Sequence, residues 1–151
     1  MAKTKCGFDS QLGVHGSHLL ASMGPTLLVD IGFDPGYKFP GPPPKPAITQ
    51  VEALVDTGAT ECCIDTLLAG QLNLPVVDKR PVGGIGGQHM ADMYLAQIYI
   101  PSLQHTVYGL FAGVHLQAGG QRHKALLGRT FLRAHTMVYE GKTGNVTISS
   151  E

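Results

Sequence analysis

The stretch EALVDTGATECCID, Glu52 to Asp65, decides how the rest of the chain is read. Its first half is an apolar strand, yet it runs straight into an ionisable Asp56 with Thr57 and Gly58 behind it. An apolar strand is a poor place for a carboxylate unless another group stabilises it or the protein exploits its discomfort. Taken from Ile48 to Thr57, the alternation puts Val51, Ala53 and Val55 on one face and Gln50, Glu52, Leu54 and Asp56 on the other. Asp56 therefore shares a face with Leu54. Beyond the turn, Asp65 is placed to cap a short helix, TLLAGQLNLP, which Pro75 stops.

Working outward, PTLLVDIGF alternates Leu27, Val29, Ile31 and Phe33 with Thr26, Leu28, Asp30 and Gly32, the period of a strand with one buried face. DPGYKFPGPPPKP, Asp34 to Pro46, cannot donate a continuous ladder and reads as a surface loop of polyproline character. Such loops are usually stiff connections, less often ligands for proline-binding modules. MYLAQIYI and TVYGLFAGV read as strands. HKALLGRTFLRAH is an apolar run broken at Gly128, followed by a helical turn or two over 129–134. TMVYEGKTGNVTIS reads as a closing hairpin turning around Gly141 and Gly144. Residues 1–24 show no sustained period and read as an N-terminal arm whose structure depends on what it packs against; residues 25–151 form the domain proper. Twenty Gly and ten Pro separating short β-rich runs predict an all-β class.

At 151 residues and 43% hydrophobic, the chain suffices for one domain with its own core. Eleven basic and eleven acidic residues balance, so the charge needed to hold a nucleic-acid backbone is missing. Cys6, Cys62 and Cys63 make neither a disulfide framework nor a metal-ligand spacing, which fits a reducing, cytoplasmic setting. The seven histidines are scattered without ligand spacing, and neither a metal nor another cofactor is expected. No run approaches a membrane span, and no internal repeat occurs, so two-fold symmetry would need a second chain.

Asp-Thr-Gly alone arises by chance in roughly a few per cent of chains this long. Its weight comes from its place at the end of an apolar strand and from two motifs that follow in order. These are Gly83-Gly84-Ile85-Gly86-Gly87 and Ala125-Leu126-Leu127-Gly128-Arg129. The glycine cluster is no dinucleotide loop, since His89 stands where G-x-G-x-x-G needs its third glycine.

With Ala53-Leu54-Val55-Asp56-Thr57-Gly58-Ala59 as active-site strand and loop, the glycine cluster as flap tip and Leu127-Gly128-Arg129 before a helix, the chain resembles the retropepsin-like (retroviral-type) aspartic proteases over roughly Pro25 to Ile148. The resemblance implies a single-lobed subunit with an acid-protease fold, a closed β-barrel with one short C-terminal helix. It implies a homodimer in which two Asp56 carboxylates share a proton and activate the water that attacks a peptide bond. Thr57 would lock the opposite loop, Gly58 would let backbone approach substrate, and Gly84, Ile85 and Gly86 would form a mobile lid. Leu54, on the Asp56 face, would line a substrate pocket. The family pairs the arginine with an acid just after the loop alanine, but Thr60 stands there, so Glu61 or an acid of the partner chain is expected to satisfy Arg129. Cys62 and Cys63 read as small buried thiols before redox-active ones.

The leading expectation is an aspartic endopeptidase acting on peptide or protein substrates. Two alternatives stand beside it: a peptide-binding or scaffold domain that kept the fold and lost turnover, and a self-processing protease acting on its own arm.

Overall fold

The computed structural model describes residues 2–84 and 87–150. The strands are β1 (Lys3–Lys5), β2 (Thr26–Gly32), β3 (Ile48–Val55), β4 (Cys63–Asp65), β5 (Val76–Gly84), β6 (Gly87–Ile100), β7 (His105–Val114), β8 (Ala125–Leu127), β9 (Thr136–Glu140) and β10 (Asn145–Ser149). Short helices α1 (Gly16–Met23), α2 (Thr66–Gln71) and α3 (Arg129–Leu132) interrupt them. The chain is thus all-β, as expected. No helix among the described residues is long and apolar enough to cross a membrane.

Seven strands run in the order β2-β3-β8-β4-β7-β6-β5, and β2 also pairs with β6. Those pairings close a ring of six strands and leave β5 outside it. The long β6 makes closure work because it serves three neighbours: β5 through its first half, β7 from Met93 to Ile100, and β2 at Gln97–Tyr99. Alternation explains the interior: Leu27, Val29 and Ile31 of β2, Ala53 and Val55 of β3, and Ala96, Ile98 and Ile100 of β6 all point inward and are buried.

A second sheet, β1-β10-β9, joins the two chain ends. Residues 2–24 are tied down through it: β1 pairs with β10, Cys6 N–H donates to the Val146 carbonyl, and Cys6 and Leu20 lie in the main core. Neither β1 nor α1 was expected from the sequence. The helix is capped by His15, whose Nδ1 accepts the Ser17 N–H, a residue type outside the usual capping set.

The helix foreseen after Asp65 is α2, and its cap has a larger role than capping. Asp65 is fully buried, and its carboxylate accepts from the N–H groups of Leu68 (3.1 Å), Leu116 and Gln117 (3.0 Å each) and from the Gln117 side-chain amide (2.6 Å). Burial pushes this carboxyl up, and the four donors more than reverse that, holding it below the ordinary carboxylate value. The interaction ties the turn after β7 to the start of α2, immediately behind the Asp56 loop. The proline-rich loop is likewise pinned: the Asp34 carboxylate accepts Gly36 and Lys45 N–H, and the buried Gln97 amide grips the Asp34 backbone on both sides.

Candidate active site

β3 delivers Asp56 to one end of the ring. Val55 N–H donates to the Pro25 carbonyl and Asp56 N–H to the Leu127 carbonyl, each at 2.9 Å, so the residue leaves the sheet between β2 and β8 with its backbone still held. The chain then turns: Ala59 N–H returns to the Asp56 carbonyl (3.2 Å), and Gly58 N–H donates to Asp56 Oδ1 (2.9 Å). The carboxylate is thereby oriented by its own loop.

Leu127-Gly128-Arg129 fastens that loop from outside. Leu127 supplies the carbonyl beneath Asp56. At Gly128 a Cβ would sit 2.5 Å from the Glu61 carbonyl oxygen and 2.7 Å from that of Ala59, so only glycine lets the loop lie this close. Arg129 and Thr130 N–H groups donate to the Ala59 and Thr60 carbonyls. The Arg129 guanidinium donates to the Thr57 carbonyl (2.7 Å) and the Thr60 hydroxyl (2.9 Å). The expectation that Glu61 would satisfy Arg129 is therefore corrected: two neutral oxygens of the loop do so. Thr60, which replaces the acid, supplies one of them.

Asp56 lies between two cavities. The first, about 590 Å³, is enclosed by the Asp56 loop, the β5 segment leading to the hairpin tip, and apolar side chains that include Met93, Leu110, Val114 and Leu126. The second, about 670 Å³, opens on the other side of Asp56 and Thr57 and is walled by Pro25, Leu132, His135, Met137 and Tyr139. Thr57 is exposed, with its carbonyl engaged by Arg129.

β5 and β6 form a hairpin over the first cavity, in register to Gly83 opposite Gln88 and Gly84 opposite Gly87. Ile85 and Gly86, named as lid residues, lie outside the described residues. Leu54 is not brought into the first cavity; its side chain packs where a Cβ on Gly24 would fall. The parallel register sets Leu126 beside Leu54, and Leu126 forms that wall. Alternation on β3 put Leu54 on the Asp56 face but could not show that Gly24, at the end of α1, lies against it.

Cys63 also borders the first cavity. Its thiol is pushed up to about 11, first by burial and then by the neighbouring Cys62, Asp56 and Glu61, so it is protonated and a poor nucleophile at neutral pH. Cys62 is buried and raised in the same direction, chiefly by burial. Among the described residues no group of three or more His, Cys, Asp or Glu is gathered to hold a metal ion. Asp56 is left as the acid-base group facing both cavities.

A sequence model of the family described as aspartyl protease matches residues 48–131, from the start of β3 into α3 and more than half of the chain. Among solved structures, the EIAV protease complexed with the inhibitor HBY-793 is similar, with 21% identity and a TM-score of 0.45 over 72% of this chain and 85% of that one. No curated protein matches.

Proposed function

This chain belongs to the aspartyl protease family, and from that premise we propose that it is a homodimeric endopeptidase whose hydrolytic centre is a pair of Asp56 carboxylates, one from each copy. The observation that carries the reading is the situation of Asp56: a half-buried carboxylate on a loop fixed by Leu127, Gly128 and Arg129, with a cavity on either side. One cavity suits a substrate strand and the other a second copy.

Two carboxylates a few ångströms apart cannot both ionise cheaply, so the pair shares one proton. The charged member takes a proton from a water that attacks the peptide carbonyl. The protonated member stabilises the developing oxyanion, and a proton then passes to the leaving nitrogen. This chemistry requires that both carboxylates keep their orientation, which the Gly58 N–H and the Arg129 fork support. The Thr57 hydroxyl, exposed in the single chain, is left for the partner's loop.

The β5–β6 hairpin acts as the lid, a role to which Gly84, Ile85 and Gly86 are assigned by sequence, and excludes bulk water from the reacting bond. Val82, Leu110 and Leu126 give the cleft apolar walls, so hydrophobic residues flanking the cut bond are preferred. Residues 25–151 serve as the protease domain and 1–24 as an arm that contributes a strand to its terminal sheet. Pairing of β1 with β10 argues against removal of that arm by self-processing. The buried, unpaired thiols fit a reducing, cytoplasmic environment.

The test is a peptide-library digest between about pH 3 and 7, the range in which a carboxylate pair holds one proton. Products are expected from the wild type and none from Asp56→Asn. Equal product profiles from both proteins would defeat the assignment, and a stable, peptide-binding but inert wild type would favour the scaffold alternative.

A further inference from the structure

β7 is paired unequally. Along its β6 edge it is hydrogen-bonded from His105 to Ala112, but on the opposite edge β4 covers only Ala112 to Val114. His105 to Phe111 therefore have no strand neighbour on that side, and among the described residues no turn or loop makes a backbone hydrogen bond to them. Every second residue of such an edge presents its N–H and C=O outward.

Where the next strand would lie there is a cavity of about 380 Å³. Val107, Tyr108 and Leu110 form its β7 side, Phe131 and Ala134 its α3 side, and Glu61 its end. Two of these residues, Glu61 and Leu110, also wall the cavity at Asp56, so the two cavities are neighbours. At the far end the Tyr108 ring is met by Phe39 (centroids 5.9 Å, stacked) and Tyr37 (5.5 Å) from the pinned proline-rich loop. Phe39 and Tyr108 remain 72% and 54% exposed, an aromatic rim with one face free.

We propose that the open edge of β7 is a second polypeptide-binding site, which takes a distal, extended segment of the substrate as an added strand. An unpaired edge selects for backbone in extended conformation, and the apolar cavity beside it takes an aromatic or branched aliphatic side chain of that strand. The walls shared with the cavity at Asp56, Glu61 and Leu110, point to the chain that is being cut as the occupant, so the inference rests on Asp56 being the hydrolytic centre. From Ala112, which walls the cavity at Asp56, to Tyr108 is four residues of β7, about 13 Å at ~3.3 Å per residue. The enzyme thus reads substrate roughly four positions beyond the residues in the cleft, and short peptides are poor substrates.

The experiment uses a cleaved library peptide of about 14 residues, long enough to span both cavities at ~3.3 Å per residue, and its central six or so residues. The longer peptide is expected to have a kcat/KM at least about tenfold higher, as backbone pairing adds to binding. Ala134→Trp, which fills the 380 Å³ cavity from the exposed turn after α3, brings the long-to-short ratio close to one. N-methylation of the distal segment lowers the ratio at alternate positions, a period that a side-chain pocket alone would not produce. A wild-type ratio near one, or a ratio that Ala134→Trp leaves intact, overturns the proposal. If no peptide is cut, the Asp56 assignment fails separately. The edge is then read by amide hydrogen exchange of Asp56→Asn with an uncleaved peptide library of the same length. Protection of residues 105–111 that Ala134→Trp abolishes supports the site, and unprotected amides overturn it.

Discussion

Asp65→Asn separates capping from wider tethering. The wild-type carboxylate is acceptor-only and takes all four donors that face it. An asparagine offers one oxygen and one donating NH2. With its oxygen in place of Oδ1 it keeps the Leu116 and Gln117 N–H bonds at neutral rather than charged strength. The Gln117 amide can turn its own oxygen to the new NH2 and recover that bond. Nothing recovers Leu68 N–H, which then faces a donor inside the fold. One orphaned buried donor costs ~1–3 kcal/mol, and loss of charge assistance from the retained bonds adds about 1 kcal/mol, for a total of about 3 kcal/mol. Urea unfolding at fixed protein concentration, with folding and pairing of copies linked, measures it. The pH dependence has a definite sign. Because the folded Asp65 carboxyl sits below its unfolded value of about 3.9, its stabilisation is fully present above roughly pH 5. It fades as pH falls through the folded value, so the difference between the two proteins narrows in acid. A cost under about 1 kcal/mol at neutral pH, or one equal at pH 3 and pH 7, would refute the role of this carboxylate as a charged tether.

Gly128→Ala forces a methyl against two backbone carbonyls that cannot turn aside. A loss of about 2 kcal/mol and a fall of at least about tenfold in kcat/KM are expected, measured by urea unfolding and peptide cleavage. Arg129→Lys keeps the charge but loses the fork that spans Thr57 and Thr60. Turnover should drop about tenfold while stability changes by under about 1 kcal/mol, since the side chain is exposed. Iodoacetamide at pH 7 is expected to leave Cys6 and Cys63 unlabelled in native protein and to alkylate them in urea, read by mass spectrometry; rapid native labelling would contradict their buried, protonated state.

What the sequence disclosed was periodic or local. Leu27, Val29 and Ile31 announced β2 because a half-buried strand must alternate, and Asp65 announced α2 because capping works over three residues. The strap from Asp65 to Leu116 and Gln117 was illegible because it joins residues about fifty positions apart through a fold not yet known. Arg129 was expected to meet Glu61 or an acid of the partner chain; within its own chain it meets a carbonyl and a hydroxyl instead of Glu61. The arm, read from its lack of a sustained period, proves closely packed: a Cβ on Gly16 would strike the Phe8 and Thr143 carbonyl oxygens, so the start of α1 lies tight against both. Three alternating residues, Lys3 to Lys5, carry no apolar signal, and β1 exists because β10 offers it an edge.

The central claim is that hydrolysis needs one Asp56 from each of two copies. Wild type and Asp56→Asn are mixed in equal amounts at constant total protein, left to exchange partners, and assayed for peptide cleavage. Random pairing predicts about one quarter of the all-wild-type rate, because both members of a dimer must carry the acid. A rate of about one half, linear in the wild-type fraction, would mean that each chain works with its own groups and would contradict the account.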